Sequence, residues 1–393
     1  MVISKSDPNK VIPSPKEKQM KVYFFVREPS ERTINHFVSS LGNALQKQGC
    51  LVVYGLERLW RDDVLDCDIV HFQWPEGIFG LFGHRVTDNE LEQVSQRLVF
   101  LKERGIRIFI QIHNLKPHTN KNTNVLRLYE LLYQQADVMV HMGGYSCELL
   151  RPQYPNAQHV VIPHHIYDDV YSFTITREEA RKRLRLPQDK QIVLSFGKFR
   201  NERERQFVLN LKSKASPPTP LSKERGASLR QEGAWGEALF LMPGFYRETL
   251  HTWNPKKLVV RLYNTCRYKL KGIKFCNDVI PDDLMQCYFC ATDVVLIQRL
   301  DILNSGNLPM AFHAGKVVVG PNVGNVGEIL RETGNFTFDP NDVYNAVGTL
   351  QKALEATSKG DENKVYAAKH WSSSIIATKL LNCYQDAITA NCD

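Results

Sequence analysis

No apolar run among the 393 residues approaches the roughly 20 needed for a membrane span. The stretch Met1–Met20 is polar, rich in Lys and Pro, and lacks the apolar core of a signal peptide. It reads as a disordered leader. No disulfide framework is visible: the nine cysteines are odd in number and scattered, which fits free thiols in a reducing, cytoplasmic setting. Cys287 and Cys290 form an isolated C-x-x-C without the second pair a zinc site needs. No G-x-G-x-x-G follows the first apolar strand, which argues against a nicotinamide oxidoreductase. Clustered basic–aromatic motifs are missing too, so nucleic acid is not an expected partner. The net charge of +8 nevertheless favours an anionic partner.

What the chain does contain is alternation. Apolar strands are expected at 21–26, 50–54, 68–72, 106–112, 138–141 and 160–163, with helices at 34–48, 90–104 and 125–135 between them. The pattern restarts after a short helix at 178–185, with strands at 191–197, 239–242, 273–275, 293–297 and 317–319. Such alternation predicts parallel sheets covered on both faces. The expected architecture is α/β: two Rossmann-like domains over 21–172 and 186–368, facing a cleft. A final amphipathic helix within 369–393 crosses back onto the first domain. Residues 213–237 are rich in Pro, Ser, Gly and charge, and read as a mobile insertion.

Ligands of open α/β sheets bind beyond the C-terminal ends of strands. There the sequence turns polar. Asp68–Glu76 ends in His71, Gln73, Trp74 and Glu76; Ile110–His118 ends in His113, Asn114 and His118. An imidazole in such a place can bind a sugar hydroxyl or move a proton. Pro163–Tyr171 carries two adjacent His and two Asp, a pairing that reads as a hinge loop beside the cleft rather than a metal centre. After the strand at 191–197, Gly197 opens a basic loop with Arg200 and Arg203, whose guanidinium forks suit a diphosphate. Leu300–Val319 reads as loop, short helix and buried strand. Asn304, Ser305 and Gly306 supply cap chemistry, and Gly315 closes the helix. A Ser-Gly loop opening a helix offers backbone N–H groups to a phosphate. The apolar stretch 78–83 can touch a lipid.

Taken in order, these blocks resemble the bacterial GT-B glycosyltransferases of the broad family-4-like group that build surface polysaccharides. Asp68–Glu76 looks like that group's D-x-V-H-x-x-W-P segment. His113–His118 resembles H-N-L-x-P-H, Phe196–Arg203 resembles F-G-x-x-R-x-x-K, and Asn304–Gly315 resembles S-G-x-x-x-x-A-x-x-x-G. The resemblance implies a nucleotide sugar, UDP- or GDP-linked, held in the second domain by Gly197, Arg200, Arg203, Arg299, Asn304, Ser305, Gly306 and Asn307. It implies a saccharide or lipid-linked acceptor in the first domain near His71, Trp74, Asn114 and His118. His113 then lies near the transferred sugar, and Glu76 is the candidate base if the reaction inverts. No cofactor and no required metal are expected, and the chain can rest on the inner face of the plasma membrane. Ile302 and Met310 stand where many retaining members carry Glu, which leaves Asp301 or Asn304 to supply that contact. A non-catalytic sugar-nucleotide binder and a GT-B-fold epimerase are the competing readings.

Overall fold

The computed structural model describes residues 19–29, 36–79, 85–115, 123–215, 238–244 and 280–390, with scattered positions between 255 and 274. The leader up to residue 18, Gly80–Gly83, His118 and insertion residues 216–237 lie outside the described residues. In the first half the strands are β1 (Lys21–Phe25), β2 (Leu51–Tyr54), β3 (Ile69–Phe72), β4 (Arg107–Ile112), β5 (Val138–His141) and β6 (Gln158–Val161). They form one parallel sheet in the order β2-β1-β3-β4-β5-β6. In the second half come β7 (Ile192–Leu194), β8 (Leu239–Leu241), β9 (Ile273–Lys274), β10 (Val294–Leu296), β11 (Val317–Pro321) and β12 (Phe336–Phe338). These form a second parallel sheet, β12-β11-β10-β7-β8-β9.

One device recurs at the N-terminal edge of both sheets. An aspartate just before a strand accepts the N–H that starts the neighbouring strand, pinning their register. Asp68 takes Lys21 N at 2.8 Å, Asp137 takes Ile108 N at 2.7 Å, and Asp293 takes Ile192 N at 2.7 Å. The inner strands β1, β3, β4, β5, β7, β10 and β11 are buried on both faces, so their sequences are mostly apolar runs. Register pinning at one edge leaves the other edge, where the strands end, for ligands.

Helices cover both sheets. In the first half they are α1 (His36–Lys47), α2 (Asp88–Glu103), α3 (Thr123–Gln135) and α4 (Gly144–Leu150). A full capping box, Thr87 with Glu90, starts α2. In the second half they are α5 (Arg177–Arg183), α6 (Glu202–Ala215), α7 (Asp282–Cys290), α8 (Asn307–His313), α9 (Gly324–Glu332), α10 (Val343–Glu355) and α11 (Lys359–His370). Cys287 and Cys290 point into the core of the second half, and among the described residues they join no group of potential metal ligands.

The last helix, α12 (Ser373–Thr389), returns to the first half and packs on α1. Ser373 Oγ lies 3.1 Å from Ser40 Oγ, and Gln48 Nε2 donates to Ser374 O at 2.9 Å. Tyr384 reaches His71 beneath the sheet, its hydroxyl 2.6 Å from Nδ1. His71 is therefore not at the cleft. It shares a strand face with Ile69, is fully buried, and packs edge-on against Phe24. Burial pulls its pKa down to about 3. The expected acceptor role of His71 is replaced by a role in seating α12. Tyr384→Phe should cost about 1–3 kcal/mol by orphaning that imidazole nitrogen, read as a lower urea midpoint. An unchanged midpoint would show that the bond contributes nothing net.

Candidate functional site

The C-terminal ends of the two sheets are tied together by a polar node. Asn304, from the loop before α8, donates to Ile112 O at 3.1 Å and His113 O at 3.0 Å, where β4 ends. Asn325, in the first turn of α9, donates to Asn304 Oδ1 at 2.7 Å and to Ser146 Oγ at 3.1 Å, and accepts Ser146 N at 3.0 Å. Glu328 accepts Tyr145 N at 2.9 Å. A Cβ at Gly143 would sit 2.7 Å from Asn325, so glycine permits this approach. The void left between the halves here, beside His164 and Ser305, is about 20 Å³, room for roughly one water. Asn304 thus joins the halves instead of capping α8, whose start has no side-chain cap. In the sequence, Asn322, Gly324, Asn325 and Gly327 read as a second flexible loop before Glu328, whereas 324–332 is helical and its first two turns carry Asn325 and Glu328 to the other half.

Beside the node lies an aromatic wall from the first half. Trp74 stacks on His113, centroids 4.2 Å apart, and Phe37 meets the same imidazole edge-on at 5.0 Å. Gln73 Oε1 is 3.0 Å from His113 Nε2 and can only accept, so the neutral ring carries its proton there. Asn114 gives its carbonyl to the Tyr133 hydroxyl at 3.2 Å. Glu76 departs from expectation. Its carboxylate accepts the Tyr129 hydroxyl of α3, whose pKa is pushed far up by burial and by that charge. A carboxylate so engaged is not poised as a base. Asp168 and Asp169 accept the hydroxyls of Ser373 and Ser40, so this pair anchors the linker to α12 and α1. His164 and His165 are kept neutral by burial.

Across the node, adjacent strands β7 and β10 end in buried polar groups. Ser195 Oγ, Gln298 Oε1 and Arg299 Nη1 are buried without a hydrogen-bond partner among the described residues. Gln298 Nε2 donates to Phe196 O at 3.0 Å, and Asn307 Nδ2 to the same carbonyl at 2.8 Å. Gly197 has φ of +94°, and the loop after β8 approaches it so closely that Gly244 has no room for a Cβ. Burial, and then the charge of Arg200, lower the Arg299 pKa to about 10. Buried Glu204 is its nearest counter-charge, 3.9 Å away, and also accepts Arg200 N at 2.7 Å. Arg203 is exposed and donates to Asn341 at 2.6 Å, on the outer flank of α6. Of the expected basic residues, Arg299 has the geometry of an anion contact in this arrangement. Ser195 and Gln298 were missed, although their signal is plain afterwards: polar residues ending apolar, β-branched strands.

No protein-family model and no curated protein matches the chain. Solved structures do. Sucrose-phosphate synthase from Thermosynechococcus elongatus superposes with a TM-score of 0.68 at 13% identity, over 95% of this chain and 100% of its own. Anabaena Alr3699/HepE in complex with UDP gives 0.63 at 12% identity, over 94% and 100%. The catalytic domain of starch synthase IV from Arabidopsis thaliana, bound to ADP and acarbose, gives 0.61 at 10% identity, over 94% and 99%. The chain has the GT-B fold. In GT-B terms, the node bridges the two halves, the Trp74–His113 wall belongs to the first, and the Ser195–Gln298–Arg299 group belongs to the second.

Proposed function

We propose that this protein is a glycosyltransferase that moves a sugar from a nucleoside-diphosphate sugar to a saccharide or lipid-linked saccharide. The observation that carries the reading is the set of unsatisfied polar atoms at the ends of β7 and β10, with half-buried Arg299 among them, in a chain of GT-B fold. Buried polar atoms without partners among the described residues point to a missing ligand. An anionic one suits a guanidinium with an unused Nη1. UDP and ADP in the structural neighbours support a nucleotide diphosphate as that anion.

In the proposed reaction an acceptor hydroxyl oxygen bonds to the anomeric carbon. The bond from that carbon to the β-phosphate oxygen breaks, its electrons leave with the nucleoside diphosphate, and the acceptor hydroxyl's proton passes to the departing phosphate oxygen or to water. Arg299, with Arg200 nearby, offsets the charge that develops there, so this step calls for no metal. His113 projects from the β4 end between Trp74 and Phe37, where it can orient the sugar. With Asn304 engaged by the node, Asp301 is the exposed group left to meet a sugar hydroxyl. Trp60, 39% exposed beside Phe79, marks the face that would meet a membrane carrying a lipid-linked acceptor. Such a protein would work in the cytoplasm, in polysaccharide or glycolipid synthesis.

The test is a thermal-shift panel of UDP-, GDP-, ADP- and dTDP-sugars, followed by turnover with the one that binds. At 100 times its dissociation constant, a donor should stabilise the fold by about 2.7 kcal/mol. Arg299→Ala should then lower kcat/KM by about 10²–10³-fold, the cost of removing one donor to a developing anion. A donor shift without turnover on any saccharide would favour the sugar-nucleotide binder. No shift with any nucleotide sugar would overturn the assignment.

A further inference from the structure

We infer that His141, Cys147 and His159 form a binding site for a thiophilic transition-metal ion of the zinc class, at the base of the loop that carries the interdomain node. Strand β5 ends at His141, β6 places His159 on the same face, and α4 lays Cys147 across both. The three residues offer one ligand atom each, all within 4.8 Å of one another. The rings are stacked at 18°, with His141 Nε2 facing His159 Nδ1 at 2.9 Å.

The outer nitrogens are already arranged as they are around bound metals. His159 Nε2 lies 3.0 Å from Tyr154 O, which can only accept, so that nitrogen carries the proton and Nδ1 presents its lone pair inward. His141 Nδ1 lies 3.1 Å from Ser146 Oγ. Metal-bound histidines almost always rest their second nitrogen on such an oxygen.

The protons balance. Without an ion, His141 Nε2–H donates to His159 Nδ1. When an ion binds, that proton shifts to His141 Nδ1 and is accepted by Ser146 Oγ. The serine's own proton turns to Gly143 O, 3.2 Å away. The Cys147 thiol releases one proton to water as its sulfur becomes a thiolate ligand. Tetrahedral bonds of about 2.0 Å to each nitrogen need the rings to part by a few tenths of an ångström, and water fills the fourth position. The Arg151 side chain, 3.2 Å from Cys147 Sγ and borne by an exposed residue, must swing aside. One sulfur and two imidazoles select zinc-like ions over magnesium or calcium.

The site lies in the first half, away from Arg299, so its role is to hold structure. Ser146 links it to Asn325 across the cleft, which couples ion binding to the closed arrangement. The test titrates Co²⁺ and then Zn²⁺ into the full chain after dialysis against chelator. One equivalent of Co²⁺ should give a thiolate-to-metal absorption band, removed by Zn²⁺ and not by Mg²⁺. Cys147→Ser should abolish the band, and Ser146→Ala should weaken binding by about 10–100-fold. His159→Gln, at a half-buried position, should also weaken it at least tenfold, and decides the matter if Cys147→Ser does not fold. Absence of a band at one equivalent, or a band that survives both Cys147→Ser and His159→Gln, overturns the site.

Discussion

Lowering the pH from 7.5 to 5.5 is expected to remove about 5 kcal/mol of folding stability, before most carboxylates begin to titrate. The cause is imidazole burial. His71, His141 and His165 are fully buried and His164 is half-buried, and burial is the main reason each has a pKa far below 6.5. Around His71 stand Phe24, Phe109 and the Tyr384 hydroxyl; neither nitrogen of His165 has a hydrogen-bond partner among the described residues. In the unfolded chain each titrates near 6.5. Below that pH the unfolded state binds protons that the folded state refuses. The stability is therefore fully present above about pH 7 and is lost as pH falls toward the depressed folded values. Each ring contributes up to about 1.4 kcal/mol per pH unit in that window.

Urea midpoints at several pH values, with chelator present, check this directly. His165→Phe gives a sharper form of the same test. The phenyl ring fits among Phe37 and Tyr167, which already touch His165, and carries no polar atom to leave unpaired. This variant should be as stable as the parent at pH 7.5 and should lose about a quarter of the acid sensitivity. A stability curve flat between pH 7.5 and 5.5 would mean that these rings are not buried as neutral groups.

The same residues show what sequence can and cannot disclose. The strands were legible because doubly covered parallel strands are unbroken apolar runs, as in Val317–Val319 and Val294–Leu296. Helix α12 was legible from its apolar stripe. The strand ends were legible as places, since polarity returns where the sheet stops. The direction of each side chain was not. His71 and Gln73 share the parity of Ile69, but nothing in the sequence says that α12 covers that face and contributes Tyr384 from 313 positions away. Asn304 reads as a helix cap because its local context is a loop before a helix; its actual partners lie 192 and 191 residues away, at Ile112 and His113. Helices α9, α10 and α11 escaped notice for different reasons. Helices α9 and α11 carry Gly, Asn and Lys in numbers that suit loops, whereas α10 has the Asp342 cap and apolar residues at helical spacing that were legible and went unread.

Arg181→Ala should cost about 3–5 kcal/mol, the usual result of removing one partner from a buried ion pair. In the sequence this arginine belongs to a run, Arg177 to Arg185, that looks like a solvated basic helix. In the structure its side chain is fully buried. The guanidinium donates to Ala291 O at 2.8 Å, Pro187 O at 3.3 Å, Gln188 O at 2.9 Å and Lys190 O at 2.9 Å. It also donates to Asp293 Oδ2 at 2.8 Å, the carboxylate that seats the first N–H of β7. One side chain thus fixes the turn into β7, the end of α7 and the base of β10. Those are the strands whose far ends carry Ser195, Gln298 and Arg299. Alanine would strand four carbonyls around a void and leave the Asp293 carboxylate to Arg177 and the Ile192 N–H. Methionine would fill the void but satisfy none of them. Lysine offers one point charge where five acceptors surround a planar fork, so it should recover only part of the loss. Urea unfolding of the three variants separates these terms, with Ala and Met lowest and Lys between them and the parent. If Arg181→Ala lost less than about 1 kcal/mol, the network would be dispensable, and the second sheet would owe the placing of its strands to apolar packing alone.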